Sequence, residues 1–332
     1  MPRRTTLPPE LRGVAASTHG VVTTADATKA GVSPGRMARL VRNGLLTRTG
    51  RGTFVLTEHL EQLSVWPAFA LRSRAFLAAC GSNAVATGAS AAAIWGLPML
   101  GRPPQRPTAA RVAGSDRCGS ATSSPYGLIH ATSVPASYVT ERHGTRTADR
   151  CWAAVDVARR STRVGLVAAD AVVRGGVDRT EMADIVRHMR RWPGAVRARW
   201  VTKRADGRSE SPLESLGRHG LLVAGVPLPL SNVWVGPGYP LYRVDHLWPD
   251  HGVVAEADGG LKYRGSDPAD VVTAEKEREQ YLRRELGLDV WPYDWELALR
   301  RPARLATLAR QVLASNPMRE TPVQWWRERH GT

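Results

Sequence analysis

The sequence predicts an α/β protein, α+β overall: a winged helix-turn-helix, a mixed α/β middle segment, and a C-terminal mixed sheet flanked by helices. Three observations carry this. Residues 8–57 run helix, helix, helix, hairpin. Residues 206–316 run helix, strands, helix, strand, helix. Between them, helical and strand-like runs are mixed without a recognisable chemical motif. The expected divisions are residues 1–57, 58–205 and 206–316, with a tail at 317–332.

The first division is read from its caps. Pro8 to Thr18 is a short helix ended by His19-Gly20, and Thr24 caps a second through Ala30. Ser33 is an N-cap with Pro34 at the first helical position, which suits a missing N–H and a fixed φ. The third helix then runs to Asn43-Gly44. Leu45 to Leu56 is two short strands around Gly50-Arg51-Gly52, the pattern of a wing. In a helix-turn-helix the second helix of the pair enters the major groove. Here it carries Arg36, Arg39 and Arg42 at i, i+3 and i+6, successive members about 60° apart. Met37, Leu40 and Val41 turn toward the core. Arg48 and Arg51 sit in the wing, placed for phosphate or minor-groove contacts. A solvated basic face is the alternative for each arginine taken singly.

This segment resembles the N-terminal antitoxin domain of the AbiEi type, from type IV toxin–antitoxin systems. The resemblance rests on Gly20-Val-Val-Thr-Thr-Ala-Asp-Ala, Gly31-Val-Ser, Leu40-Val-Arg-Asn-Gly-Leu-Leu and Gly52-Thr-Phe-Val-Leu, and covers about the first 57 residues. It implies DNA binding, often autoregulatory. It does not by itself imply a toxin for this chain.

Bulk composition agrees with a polyanionic partner. The chain has 332 residues, too many for one typical domain. Its formal net charge is +16, and neutralised phosphates release condensed counterions. Only Lys29, Lys203, Lys262 and Lys276 among the 46 basic residues are lysine. Coding bias explains the preference for arginine but not the surplus of charge. No lipidation motif or run of about 18 apolar residues suggests a membrane. Cys80, Cys118 and Cys151 form no CxxC pair, and Arg3-Arg4 lead into no apolar signal core, so the expected location is the cytoplasm.

In the middle division, helices are expected over Trp66–Cys80, Ala86–Trp95, 162–174 and 180–191, with Thr147 capping another through Arg159. The C-terminal division holds the chemistry. Ser211-Pro-Leu-Glu214 opens a helix, and Tyr242–Trp248 and Val253–Asp258 form a hairpin around Pro249-Asp-His-Gly252. Strand alternation puts Arg243, Asp245 and Leu247 on one face, and Val254, Glu256 and Asp258 on one face of the partner strand. If the faces coincide, three carboxylates converge, at a desolvation cost that a hard divalent cation with oxygen ligands relieves. Mg²⁺ is the expected cofactor, and Mn²⁺ suits the same donors. Such a set can position water against a phosphodiester. Lys262 and Lys276 fall within twenty residues of Glu256 and are candidate cations. Glu214 is a candidate fourth acid, and Ser211-x-x-Glu214 equally forms a capping box. Asp258-Gly259 equally begins a turn. His246 is read as structural. A helix from Pro268 to Leu286, bearing Lys276, Arg278, Arg283 and Arg284, either follows a DNA backbone or is a charged amphipathic face.

Residues 209–296 resemble the PD-(D/E)XK nuclease superfamily, nearest its very-short-patch-repair-like branch. The matching residues are Ser211-Pro-Leu-Glu-Ser215, Val244-Asp-His-Leu-Trp-Pro249, Val254-Ala-Glu-Ala-Asp-Gly259, Lys262-Tyr263, and Glu275-Lys-Glu-Arg278 through Gly287-Leu-Asp-Val-Trp291. The resemblance implies a restriction-endonuclease-like sheet, Asp245 and Glu256 as metal ligands, Glu214 as the helix-borne acid, and Mg²⁺-dependent phosphodiester cleavage. The superfamily's Glu-x-Lys would place lysine at 258, where Asp stands instead, so Lys262 or Lys276 must supply the charge. The leading expectation is a metal-dependent DNA endonuclease targeted by its own winged helix, in phage defence or a toxin–antitoxin system. The alternative is a non-catalytic DNA-binding autoregulator of antitoxin type. The orientation of Lys262 and Lys276 separates them. Beyond DNA, a cognate toxin or self-association is the protein partnership considered.

Overall fold

The structure, a computed structural model, describes residues 6–115, 119–259 and 268–329, without the side chains of 268–274. The chain has the expected mixed α/β class and divides into two compact units. One comprises Met1–Val172 with Val177–Arg204, the other Val173–Gly176 with Ala205–Thr332.

The first unit begins with α1 (Pro9–Ser17), β1 (Val22–Thr23), α2 (Thr24–Lys29), α3 (Pro34–Arg42), β2 (Leu46–Gly50) and β3 (Thr53–Leu56). Ser33 caps α3 through its hydroxyl, 3.3 Å from the Arg36 N–H. The cap of α2 is Thr23 rather than Thr24, its hydroxyl accepting the Asp26 N–H at 3.1 Å. Strand β1 is an addition to the expected hairpin, making a sheet of order β1-β3-β2. Leu11, Val22, Met37, Leu40, Leu46 and Phe54 share one core, each contributing roughly 1.5–3 kcal/mol by burial. The wing turns at Gly52, whose φ of +71° favours glycine.

The same unit continues through α4 (Thr57–Gln62), α5 (Val65–Ala78), β4 (Ala84–Ala86), α6 (Gly88–Trp95), β5 (Thr108–Val112), β6 (Thr122–Ser124), β7 (Gly127–Val134), β8 (Val139–Arg142), β9 (Thr145–Ala148), α7 (Arg150–Arg160), α8 (Thr162–Arg174), α9 (Arg179–His188) and α10 (Ala195–Arg204). Its six strands lie in the order β6-β7-β5-β4-β9-β8. Two expectations need correction. The helix expected from Ala86 begins at Gly88, and Ala86 belongs to the strand Ala84–Ala86, every residue of it buried because it is central in the sheet. Thr147 lies in β9 opposite Ala86, and Asp149 caps α7 instead, its carboxylate accepting the Trp152 N–H at 2.7 Å. Helix α10 was not expected at all. Trp152 is fully buried among the rings of Tyr138, His188 and Trp192.

The second unit holds α11 (Pro212–Ala224), β10 (Leu230–Val235), β11 (Tyr242–Trp248), β12 (Val253–Ala257), α12 (Pro268–Arg284), β13 (Asp289–Tyr293), α13 (Pro302–Ser315) and β14 (Trp325–Trp326). The sheet order is β13-β12-β11-β10-β14, with β12 and β13 parallel and the other pairs antiparallel. The expected tail thus contributes an edge strand, Trp326 opposite Trp234. Val244, Leu247, Val254 and Val290 pack with Leu282 of α12 in one core. Among the described residues no helix is long and apolar enough to cross a membrane.

Candidate functional site

Helix α3 is anchored by Met37 and Leu40, both buried, with Val41 packed partly against the same core. That leaves Arg36, Arg39 and Arg42 exposed. Arg48 and Arg51, in the β2–β3 hairpin, are exposed as well. Among the described residues none of these five guanidinium groups makes an ion pair or hydrogen bond; Arg48 lies over the Phe54 ring, 5.5 Å from its centre. Arg12, in contrast, pairs with Glu58 at 3.0 Å. Five unpaired cations on one winged helix form a surface suited to phosphates and guanine edges.

The carboxylates gather in the second unit. His246 is opposite Ala255 and Leu247 opposite Val254, and continuing that register by one residue sets Asp245 across from Glu256. Asp245 Oδ2 accepts the Ala257 N–H at 2.8 Å. Glu256 Oε1 accepts from Arg278 of α12 at 2.7 Å, and the same guanidinium nitrogen donates to the Arg243 carbonyl at 2.6 Å. Glu214, on the first turn of α11, is buried. Its Oε2 accepts hydrogen bonds from the Glu210 N–H at 2.8 Å and from Asn232 Nδ2. Its amide is bonded to Ser211 Oγ, so capping and proximity to the other acids hold together. Burial, and then the negative charge of Asp245, raise the Glu214 pKa, against the hydrogen bonds that lower it. Asp258 follows β12 and is exposed, its N–H donating to the Tyr293 carbonyl at 2.9 Å.

Three residues at this site carry no obvious sequence signal. Tyr293 is buried on β13, and its pKa is raised well above the ordinary value by burial, then by Asp245, Glu214 and Glu256. One ring therefore senses all three acids. Its hydroxyl lies 2.7 Å from Nε2 of His246, over which it stacks. His246 is fully buried and its pKa falls to about 3, through burial and then the Arg218 charge. Asn232 holds Glu214 from a φ of +49°, rare for a residue other than glycine. Gly217 makes the close approach of α11 to Tyr293 feasible: a Cβ there would stand 2.5 Å from the hydroxyl and 2.7 Å from Cζ. Gly217→Ala is expected to destabilise the second unit by roughly 1–2 kcal/mol net, overpacking outweighing the helix preference for alanine. Urea midpoints check this, and an unchanged or higher midpoint contradicts it.

Of the candidate cations, Lys262, with Tyr263, lies outside the described residues. Lys276 is exposed, and stands about 200° around α12 from Arg278, so it faces away from Glu256. Among the described residues, Arg278 is the cation paired with Glu256. Arg283 is also engaged, with Glu279 at 2.9 Å, so this helix uses two of its arginines within the unit rather than presenting them all to a backbone. Among the described residues, no three His, Cys, Asp or Glu side chains are grouped so as to hold a metal ion. The donors that fit a hard cation are the opposed pair Asp245 and Glu256, a number of carboxylates Mg²⁺ commonly takes.

Comparison with known proteins bears on the first of these surfaces. Residues 10–57 match the family described as "Transcriptional regulator, AbiEi antitoxin". The match begins in α1 and ends just after β3, so it covers the winged helix with its arginines. The chain is also similar to two Mycobacterium tuberculosis proteins, from strains CDC 1551 / Oshkosh and ATCC 25618 / H37Rv, each described as uncharacterized. It is 37% identical to each over 158 residues, 47% of this chain and 57% of theirs. The chain therefore spans little more than half the length of these relatives. The antitoxin-type domain supports DNA binding by the N-terminal segment.

Proposed function

We propose that the protein is a DNA-binding transcriptional regulator of the AbiEi antitoxin type, reading duplex DNA through α3 and the wing. The observation that carries this is the set of five exposed, unpaired arginines on a domain matched to that family. Binding to phosphates gives affinity, and an arginine fork on guanine gives sequence preference. A toxin protein is the partner that this reading adds. The test is fluorescence anisotropy of the full chain on a duplex taken from upstream of its own coding sequence. Saturable binding that weakens steeply with salt supports the reading, and salt-insensitive or absent binding contradicts it.

A second reading, metal-dependent phosphodiester cleavage by the second unit, is favoured by the opposition of Asp245 and Glu256 across β11 and β12. We rank it second because Lys276 faces away, Asp stands at 258, and Arg278 already neutralises Glu256. A bound Mg²⁺ or Mn²⁺ would supply Lewis-acid activation of water or phosphate. Asp245 and Glu256 would hold it, Glu214 would orient from α11, and Arg278 would be free to meet a phosphate. Supercoiled plasmid with Mg²⁺, Mn²⁺ or EDTA tests this. Metal-dependent nicking abolished in both Asp245→Ala and Glu256→Ala supports cleavage. Intact plasmid under all conditions, with DNA binding retained, leaves the regulator.

A further inference from the structure

Within the first unit is a cleft of about 550 Å³, lined mostly by α4, α5 and α6, with His19 from the loop after α1 and Arg142 and His143 from the β8–β9 hairpin. Its polar lining is entirely basic: His19, His59, Arg74, Arg142 and His143, with no carboxylate among its lining residues. Two of these groups keep donors unused. Arg74 is half-buried, burial lowers its pKa, and among the described residues it makes no hydrogen bond or ion pair. Arg142 is fixed by its Nε on the Ile94 carbonyl, 3.1 Å away, and by stacking over Trp95, which leaves its terminal nitrogens without hydrogen bonds.

The histidines are placed by unusual backbone. His19 and His143 have φ of +53° and +51°, and their rings meet edge to face at 5.2 Å. Burial, then the charges of Arg74, Arg142 and His19, lower the His143 pKa. The rest of the lining is apolar, with Ile94, Leu97 and the ring of Trp66, whose indole N–H is tied to the Gly101 carbonyl at 3.0 Å.

We propose that this cleft binds a small phosphorylated molecule with a flat apolar body. The phosphate seats against Arg74, His19 and His143, and the body lies along Trp66, Ile94 and Leu97. A phosphate monoester fits better than a carboxylate because it brings close to two negative charges and three acceptor oxygens to five basic groups. A concave site with apolar walls can cover the body of a small molecule, which suits such a ligand better than a duplex. An occupant would touch the loop after α1 and the β8–β9 hairpin together.

The probe is phenyl phosphate, titrated calorimetrically into the full chain, with inorganic phosphate and phenol as comparisons. Arg74→Gln removes the buried charge. His143→Gly removes an imidazole at an exposed position whose backbone suits glycine, so its fold is retained. Phenyl phosphate is expected to bind one site, more tightly than inorganic phosphate, with phenol silent. Each variant is expected to weaken it about tenfold or more, the loss of one charge-assisted hydrogen bond. No saturable binding of phenyl phosphate overturns the proposal, as does equal binding by the wild type and both variants. Loss of duplex affinity in Arg74→Gln, with no phenyl phosphate binding, reassigns the cleft to DNA.

Discussion

Replacing Arg36, Arg39 and Arg42 together with glutamine is expected to lower affinity for duplex DNA by about a hundred- to a thousandfold at physiological salt. The three side chains are exposed and unpaired, while Met37 and Leu40 hold the helix to its core. The fold should therefore survive with its melting temperature almost unchanged. Two contributions fall together: counterion release, with a salt slope shallower by about 0.9 for each phosphate no longer neutralised, and base-edge hydrogen bonds. Arg12→Gln is the matched comparison, since Arg12 is already paired with Glu58. It should change affinity only slightly. Anisotropy over a salt series separates the two substitutions. A triple variant that binds like the wild type would show that α3 is a solvated basic face.

The second large effect is on stability in acid. His246 has its pKa lowered to about 3 from 6.5. In the unfolded chain it takes up a proton as pH falls through 6.5, whereas in the folded chain it stays neutral until about 3. The unfolded state binds more protons across that window, so stability rises with pH there and is lost as pH falls. The full contribution is on the order of 5 kcal/mol, at about 1.4 kcal/mol per pH unit. Glu214 acts oppositely: its folded pKa is raised, so its contribution falls as pH rises through the carboxylate range. His246→Phe should remove the upward slope and leave the weaker downward one. Urea midpoints of the second unit across pH about 4 to 7 measure this. A wild-type midpoint that is flat over the range contradicts a neutral, buried His246.

Local structure was legible wherever one residue's backbone preference decides it. Ser33-Pro34 announces the start of α3, and the alternation of Tyr242–Trp248 against Val253–Ala257 sets Asp245 across from Glu256. Elements set by the sheet rather than by neighbours were not legible. Ala86 reads as the start of the helix to Trp95 because alanine favours helix, yet it ends the buried central strand Ala84–Ala86 and the helix begins at Gly88. Thr147 looks like a cap until its strand partner Ala86 is seen. At the carboxylate site, the sequence shows the acids but not what compensates them. Arg278 reaches Glu256 from 22 positions away, and Asn232 reaches Glu214 from a backbone conformation with no sequence signature. Lysine scarcity singles out Lys262 and Lys276, yet among the described residues the cation paired with Glu256 is Arg278.

The central claim is that α3 reads DNA, and selection from a pool of random duplexes by the full chain tests it most directly. The account predicts recovery of a preferred site containing guanine, bound far more tightly than random duplex, with that preference lost in the variant lacking Arg36, Arg39 and Arg42. A pool that stays random through the selection, or a preferred site retained by that variant, would contradict it.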